Sequence, residues 1–256
     1  MRTDSRLVGR GVLALAMGLL ISCGGGDPES TAPSSQASRT REGALAVPSD
    51  LTIPPDANTK GVWGPVTNWP LIAVHGVLTT DGRVVSYGTK ADGTQTGMFI
   101  YDIWNPADDS HMTLANGSGT DIFCSSQVML PAGDAIVISG GDNWTGTATT
   151  NTGNNNSTVL NLGTNVLARG NNMNRARWYS STTTLLNGET YVQGGSGGTD
   201  FPEIRGSNGV YRLLSGAATG SYDFMYPRNF IAPDGRLFGY DSAGKMYYIN
   251  TAGNGS

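Results

Sequence analysis

Residues 133–141 read Gly-Asp-Ala-Ile-Val-Ile-Ser-Gly-Gly. A turn glycine, a run of β-branched residues and a closing Gly-Gly describe one short strand entered from a tight turn. The pattern recurs as residues 81–88 (DGRVVSYG), 187–195 (NGETYVQGG) and 234–239 (DGRLFG). Aligned on Gly82, Gly133, Gly188 and Gly235, the steps are 51, 55 and 47 residues. A second short run follows each: 98–103 (MFIYDI), 157–162 (STVLNL), 209–214 (GVYRLL) and 245–249 (KMYYI). Aromatic and β-branched residues dominate these runs, and no long apolar pattern of helical period appears, so the chain is all-β.

A period near 50 residues, built from short strands, predicts a kelch-like β-propeller in which each repeat is one small sheet. A β-sandwich is the alternative, and the self-similarity at near-constant spacing argues against it. Propellers of this kind close with about six or seven blades. The chain accounts for about three and a half blades of an expected seven, so the propeller is expected to be incomplete. A truncated product, a gene fragment or one part of a longer protein is expected, with the missing blades in a C-terminal part or a second polypeptide.

Residues 1–22 carry three arginines before a short apolar stretch (GVLALAMGLLIS), too short to span a membrane. They read as an export signal. The run Leu20-Ile21-Ser22-Cys23 matches a bacterial lipoprotein cleavage site, which makes Cys23 the expected lipidated N-terminus. Residues 23–50 are rich in Gly, Ser and Pro and read as a disordered tether, with the folded part at 51–256. The expected location is the bacterial cell envelope, on the outer membrane, held only through the lipid. The formal net charge is −4 with 14% charged residues, and no basic patch points to nucleic acid or to anionic lipid.

The chain has two cysteines, so Cys124 is the one thiol left in the folded part. Cys124, Tyr179 and Tyr226 each lie nine residues before the leading glycine of their repeat. Equivalent positions of consecutive blades are lateral neighbours near the axis, which would bring Cys124 beside Tyr179. A thioether ortho to a phenol oxygen makes the ring easier to oxidise and holds it rigid. On position alone, a small buried cysteine and a core tyrosine explain the pair equally well.

Residues 121–130 (DIFCSSQVML), leading into Ile136 to Gly141, resemble the cysteine-bearing blade of the galactose oxidase and glyoxal oxidase family. Residues 175–184 (RARWYSSTTT) resemble the blade with the cross-linked tyrosine, and residues 226–236 (YPRNFIAPDGR) the segment after it. The resemblance implies a copper radical oxidase that oxidises primary alcohols or aldehydes, carbohydrates included, with dioxygen to give hydrogen peroxide. It implies Cys124 and Tyr179 as the cross-linked catalytic pair, Tyr179 as a copper ligand, and Arg228 as the substrate-binding arginine.

The chain departs from that family in two respects. The family adds an axial tyrosine followed by histidine and a second histidine in a later domain, whereas this chain has only His75 and His111. His75, in an early strand, is expected to be packed and hydrogen-bonded; His111 is expected in a solvated loop, with flanking acids that make only a weak metal site. The indole that stacks on the family's cross-linked ring has no counterpart after Gly194-Gly195, leaving Phe201 or Trp178 to shield Tyr179. Residues 141–156 (GDNWTGTATTNTGNNN) are expected as a mobile polar loop, with Trp144 a possible sugar platform, and Asp56, Asp81 and Asp234 as turn residues. The chain alone is therefore expected to be inactive. The rival is a non-catalytic module binding a glycan or a protein, with Cys124 free.

Overall fold

The computed structural model describes residues 52–256. The export signal, Cys23 and the tether lie outside the described residues. After a single-turn helix α1 (Ala57–Lys60), the chain forms a first sheet of β1 (Ile72–Leu78), β2 (Val84–Thr89), β3 (Ile100–Asn105) and β4 (Ser110–Ala115). The second sheet holds β5 (Ser126–Met129), β6 (Ala135–Ser139), β9 (Ser157–Asn161) and β10 (Val166–Arg169), with a hairpin of β7 (Asp142–Trp144) and β8 (Thr149–Gly153) between β6 and β9. The third holds β11 (Trp178–Thr184), β12 (Thr190–Ser196), β13 (Glu203–Arg205) and β14 (Tyr211–Leu213). The fourth has three strands, β15 (Arg228–Ile231), β16 (Leu237–Tyr240) and β17 (Met246–Ile249). Within each sheet, strands pair antiparallel in meander order. First strands neighbour one another: β1 meets β5, β5 meets β11, and β11 meets β15. This is a partial propeller of three full blades and a three-stranded fourth.

The recurring glycine has one physical cause. Gly82, Gly133, Gly188 and Gly235 take φ of 86°, 73°, 82° and 84°, the left-handed region that costs glycine least. Each donates its N–H to the carbonyl three residues earlier, closing the turn between first and second strands. Asp81 and Asp234 sit in these turns as expected, accepting from the Arg83 and Arg236 main chain two residues on.

Apolar packing occurs mainly between blades. Val85, Tyr87, Tyr101 and Ile103 of the first blade bury against Ile122, Ile136, Ile138 and Leu160. Tyr191 and Ile204 of the third blade bury against Leu237, Tyr247 and Ile249 of the fourth. The strand registers make Val85/Tyr87, Val137/Ser139, Tyr191/Gln193 and Phe238/Tyr240 equivalent positions. The first three pairs are buried, whereas Phe238 and Tyr240 are half-buried and share their sheet face with exposed Phe230, Met246 and Tyr248.

Two expectations are corrected. Residues 141–156 contain the β7–β8 hairpin rather than a free loop. The Asp142 N–H donates to the Phe123 carbonyl, the Asp142 carboxylate accepts from Asn143 and Thr152, and Trp144 packs edge-on against Phe99. His111 lies in β4, not in a solvated loop. Its Nδ1 is 2.7 Å from Oδ2 of buried Asp102, and its ring meets the edge of Trp69.

Ile136 is fully buried between the first two blades, so Ile136→Ala should cost about 2–5 kcal/mol of unfolding free energy. Exposed Val166→Ala should stay within about 0.5 kcal/mol. Urea denaturation with tryptophan fluorescence measures both, and equal effects would contradict the inter-blade core.

Candidate functional site

The first residues of β11 converge with the segments that precede β5 and β15. The Tyr226 N–H donates to the Tyr179 carbonyl at 2.9 Å, and the Tyr179 N–H donates to the Cys124 carbonyl at 2.9 Å. Cys124, Tyr179 and Tyr226 all have left-handed backbones, with φ of 55°, 72° and 47°. Side-chain-bearing residues enter this region rarely, and bulky ones at a cost of about 1–3 kcal/mol. Three such residues at one repeat position show that the fold holds them there. In the first blade the same place in the ladder is taken by a side chain: the Cys124 N–H donates to Nε2 of His75 at 3.1 Å.

The ladder gathers thiol and phenols. The Cys124 thiol is coupled electrostatically to both the Tyr179 and the Tyr226 hydroxyls. The rings of Tyr179 and Tyr226 meet edge to face with centroids 5.3 Å apart. The Trp178 indole lies 4.2 Å from the Tyr179 ring at a tilt of 34°. Of the two shielding residues expected, Trp178 rather than Phe201 lies against the Tyr179 ring. Arg228 is exposed at the start of β15 and donates from Nη1 to the Tyr226 carbonyl at 3.1 Å. Beside the cluster is a polar cavity of about 190 Å³, lined by His75, Tyr226 and hydroxyls from the β5 and β11 segments. A larger groove of about 610 Å³ lies between β4 and β10, and none of the cluster residues lines it.

Burial dominates the electrostatics. It pushes the Cys124 thiol up, with Asp142 and Asp121 adding to the effect and the tyrosine hydroxyls opposing it. It pushes Tyr179 up to about 12, Tyr226 upward too, and the Asp121 carboxyl up to about 6. It pushes the His75 imidazole down to about 4, opposed by the Gln127 amide oxygen as an acceptor. At neutral pH the thiol, both phenols and the imidazole are therefore uncharged. Nucleophilic cysteines need the reverse, an electropositive setting that favours thiolate.

A buried ion pair anchors the approach to Tyr179. Arg177 and Glu203 are both fully buried and pair at 2.9 Å. The guanidinium also donates to the carbonyls of Gly194, Gly198 and Phe201, and Glu203 also accepts from the main chain of Asn174 and Arg175. Every charge-bearing atom of the pair thus has a partner. Its clue in the sequence is a lone acid between Pro202 and Ile204, because a carboxylate in an apolar run needs a cation.

Copper would draw on imidazole and phenol donors here. The His75 Nε2 lone pair already faces the Cys124 N–H, and His111 is held by Asp102 on an outer strand. Among the described residues, no group of three His, Cys, Asp or Glu could hold a metal. The described residues do not by themselves fit copper; Tyr179 offers a phenol without imidazole partners.

No family model matches the chain, and no curated protein matches it. Among solved structures, the fold is similar to a fungal alcohol oxidase of the AA5 family in complex with copper. The TM-score is 0.60 at 20% identity, over 76% of this chain and 42% of that one. The chain thus spans less than half the length of that structure.

Glu203→Ala would leave Arg177 charged and unpaired in the interior and should cost about 3–5 kcal/mol. Arg175→Ala, which breaks the part-exposed pair with Asp200, should cost less than about 1 kcal/mol. Chemical denaturation compares them. The depressed His75 pKa gives a further test. Stability from the neutral imidazole is fully present above the ordinary pKa of 6.5 and is lost as pH falls toward about 4. Wild type should therefore lose up to about 3 kcal/mol of stability relative to His75→Gln as pH falls across that window. Asp121 titrates in both proteins and cancels in the difference; a gap independent of pH would contradict a buried neutral His75.

Proposed function

We propose that this chain carries the Cys–Tyr half of a copper radical oxidase site related to galactose and glyoxal oxidases. The observation that carries the reading is the direct main-chain link from Tyr179 to Cys124, with the thiol and the phenol coupled electrostatically. The likeness in fold to a copper-containing alcohol oxidase supports it, as do the motifs around Cys124, Tyr179 and Tyr226. An uncharged thiol next to an uncharged phenol suits hydrogen-atom chemistry better than nucleophilic attack.

In this reading, Cys124 and Tyr179 join through a thioether. The bond forms between sulfur and the ring carbon ortho to the hydroxyl. The thiol hydrogen and that ring hydrogen leave with two electrons, and dioxygen accepts them as hydrogen peroxide. Trp178 covers the ring, and exposed Arg228 meets the hydroxyls of an alcohol, aldehyde or carbohydrate substrate. Copper needs imidazole donors from outside the described residues, from a further segment or a second polypeptide. The exposed aromatic face of the fourth blade is where such a segment would pack. Without those donors the chain is inactive toward alcohols. The lipid anchor on Cys23 would hold the protein at the bacterial envelope.

Intact mass after incubation in air with excess copper(II), acting as an oxidant from solution that needs no built site, tests the reading. Wild type should lose two hydrogens, and Cys124 should stop reacting with thiol reagents; Cys124→Ser and Tyr179→Phe should keep their mass. An unchanged wild-type mass with a reactive Cys124 would favour the non-catalytic binding module. Peroxide release from simple alcohols by the chain alone would overturn the assigned inactivity.

A further inference from the structure

We propose that His75 is a positioning residue that holds Cys124 in reach of Tyr179 by accepting its main-chain N–H. This rests on the Cys124–Tyr179 pairing above. In the ladder, Tyr226 and Tyr179 each find a main-chain carbonyl from the preceding blade; Cys124 finds an imidazole. The substitution is built into the first blade. β1 pairs Ala73 with Gly88 and then His75 with Tyr87, so Val74 is an extra residue in a bulge. A bulge re-aims the next side chain, and here it turns His75 inward between exposed Val74 and Gly76. Gly88 makes the bulge possible, because a β-carbon there would run into the Ile72 carbonyl and the Val74 nitrogen.

Second contacts fix the imidazole. His75 stacks on Tyr87 with centroids 4.7 Å apart and an interplanar angle of 18°. The Tyr87 hydroxyl is 2.8 Å from Ser125 Oγ and donates to Gln127 at 2.8 Å, joining the stack to the residues that follow Cys124. Nε2 accepts only in the neutral tautomer with the proton on Nδ1. Cys124 is buried with a left-handed backbone. Without an acceptor its N–H would be orphaned, and the turn would relax toward ordinary φ, carrying the sulfur off the Tyr179 ring.

The test uses the full chain with copper(II) and air, and follows the loss of two hydrogens. His75→Phe keeps a ring on Tyr87 but no acceptor, and should slow cross-linking about tenfold or more. His75→Gln places an amide oxygen at similar reach and should restore most of the rate. Equal rates for wild type and His75→Phe, or a Gln variant no faster than Phe, would overturn the proposal. A wild type that never cross-links would sink the pairing instead, and His75 would then be judged by hydrogen exchange. Protection of the Cys124 amide in wild type and Gln but not Phe supports its positioning role; an unprotected wild-type amide contradicts it. Should His75→Phe not fold, wild-type imidazole ¹⁵N shifts decide: a proton on Nδ1 supports the role, and one on Nε2 refutes it.

Discussion

The site depends on a ladder of main-chain hydrogen bonds across the inner ends of the blades. Tyr226 bonds to Tyr179, Tyr179 to Cys124, and Cys124 to the His75 ring. Each rung lies at a left-handed residue. Strained residues of this kind persist where the surroundings over-determine them. Here the surroundings are the blades themselves. The Gly141 N–H holds the Arg177 carbonyl, and the Gly195 N–H holds the Phe224 carbonyl, in each case two residues before the strained tyrosine. The closing Gly-Gly of one repeat is thus what places the left-handed residue of the next.

Charge is handled separately from reactivity. The one fully buried ion pair named above, Arg177 with Glu203, sits two residues before Tyr179 and is saturated with partners. Such pairs add little net stability but are costly to break, so they act as geometric pins. The cluster itself carries no charge at neutral pH, because burial opposes thiolate, phenolate and imidazolium alike.

Much of this was visible in the residues. The turn glycines impose a backbone only they adopt readily, so their spacing exposed the blades. The nine-residue offset brought Cys124, Tyr179 and Tyr226 to one level because each first strand has the same length from ladder to turn. His75 escaped the same count. His75 is not the repeat equivalent of Cys124: it pairs with Tyr87, the place that Ser126 and Ser181 take in the next two blades, and it reaches the ladder only through its side chain. The β7–β8 hairpin was hidden because its Thr, Asn and Gly residues carry no apolar alternation, and its stability comes from Asp142 and from contact with the third blade. His111 was misplaced because its partner Asp102 lies across a strand pair, a neighbour relation that local sequence does not encode.

The proposed thioether requires the Cys124 sulfur and the Tyr179 ring to face each other. A high-resolution crystal structure of copper-treated, air-exposed protein tests it most directly. Continuous density is expected from Sγ to the ring carbon ortho to the Tyr179 hydroxyl, with the Trp178 indole over the ring. Density showing the sulfur and the ring turned to opposite sides of the ladder would contradict it.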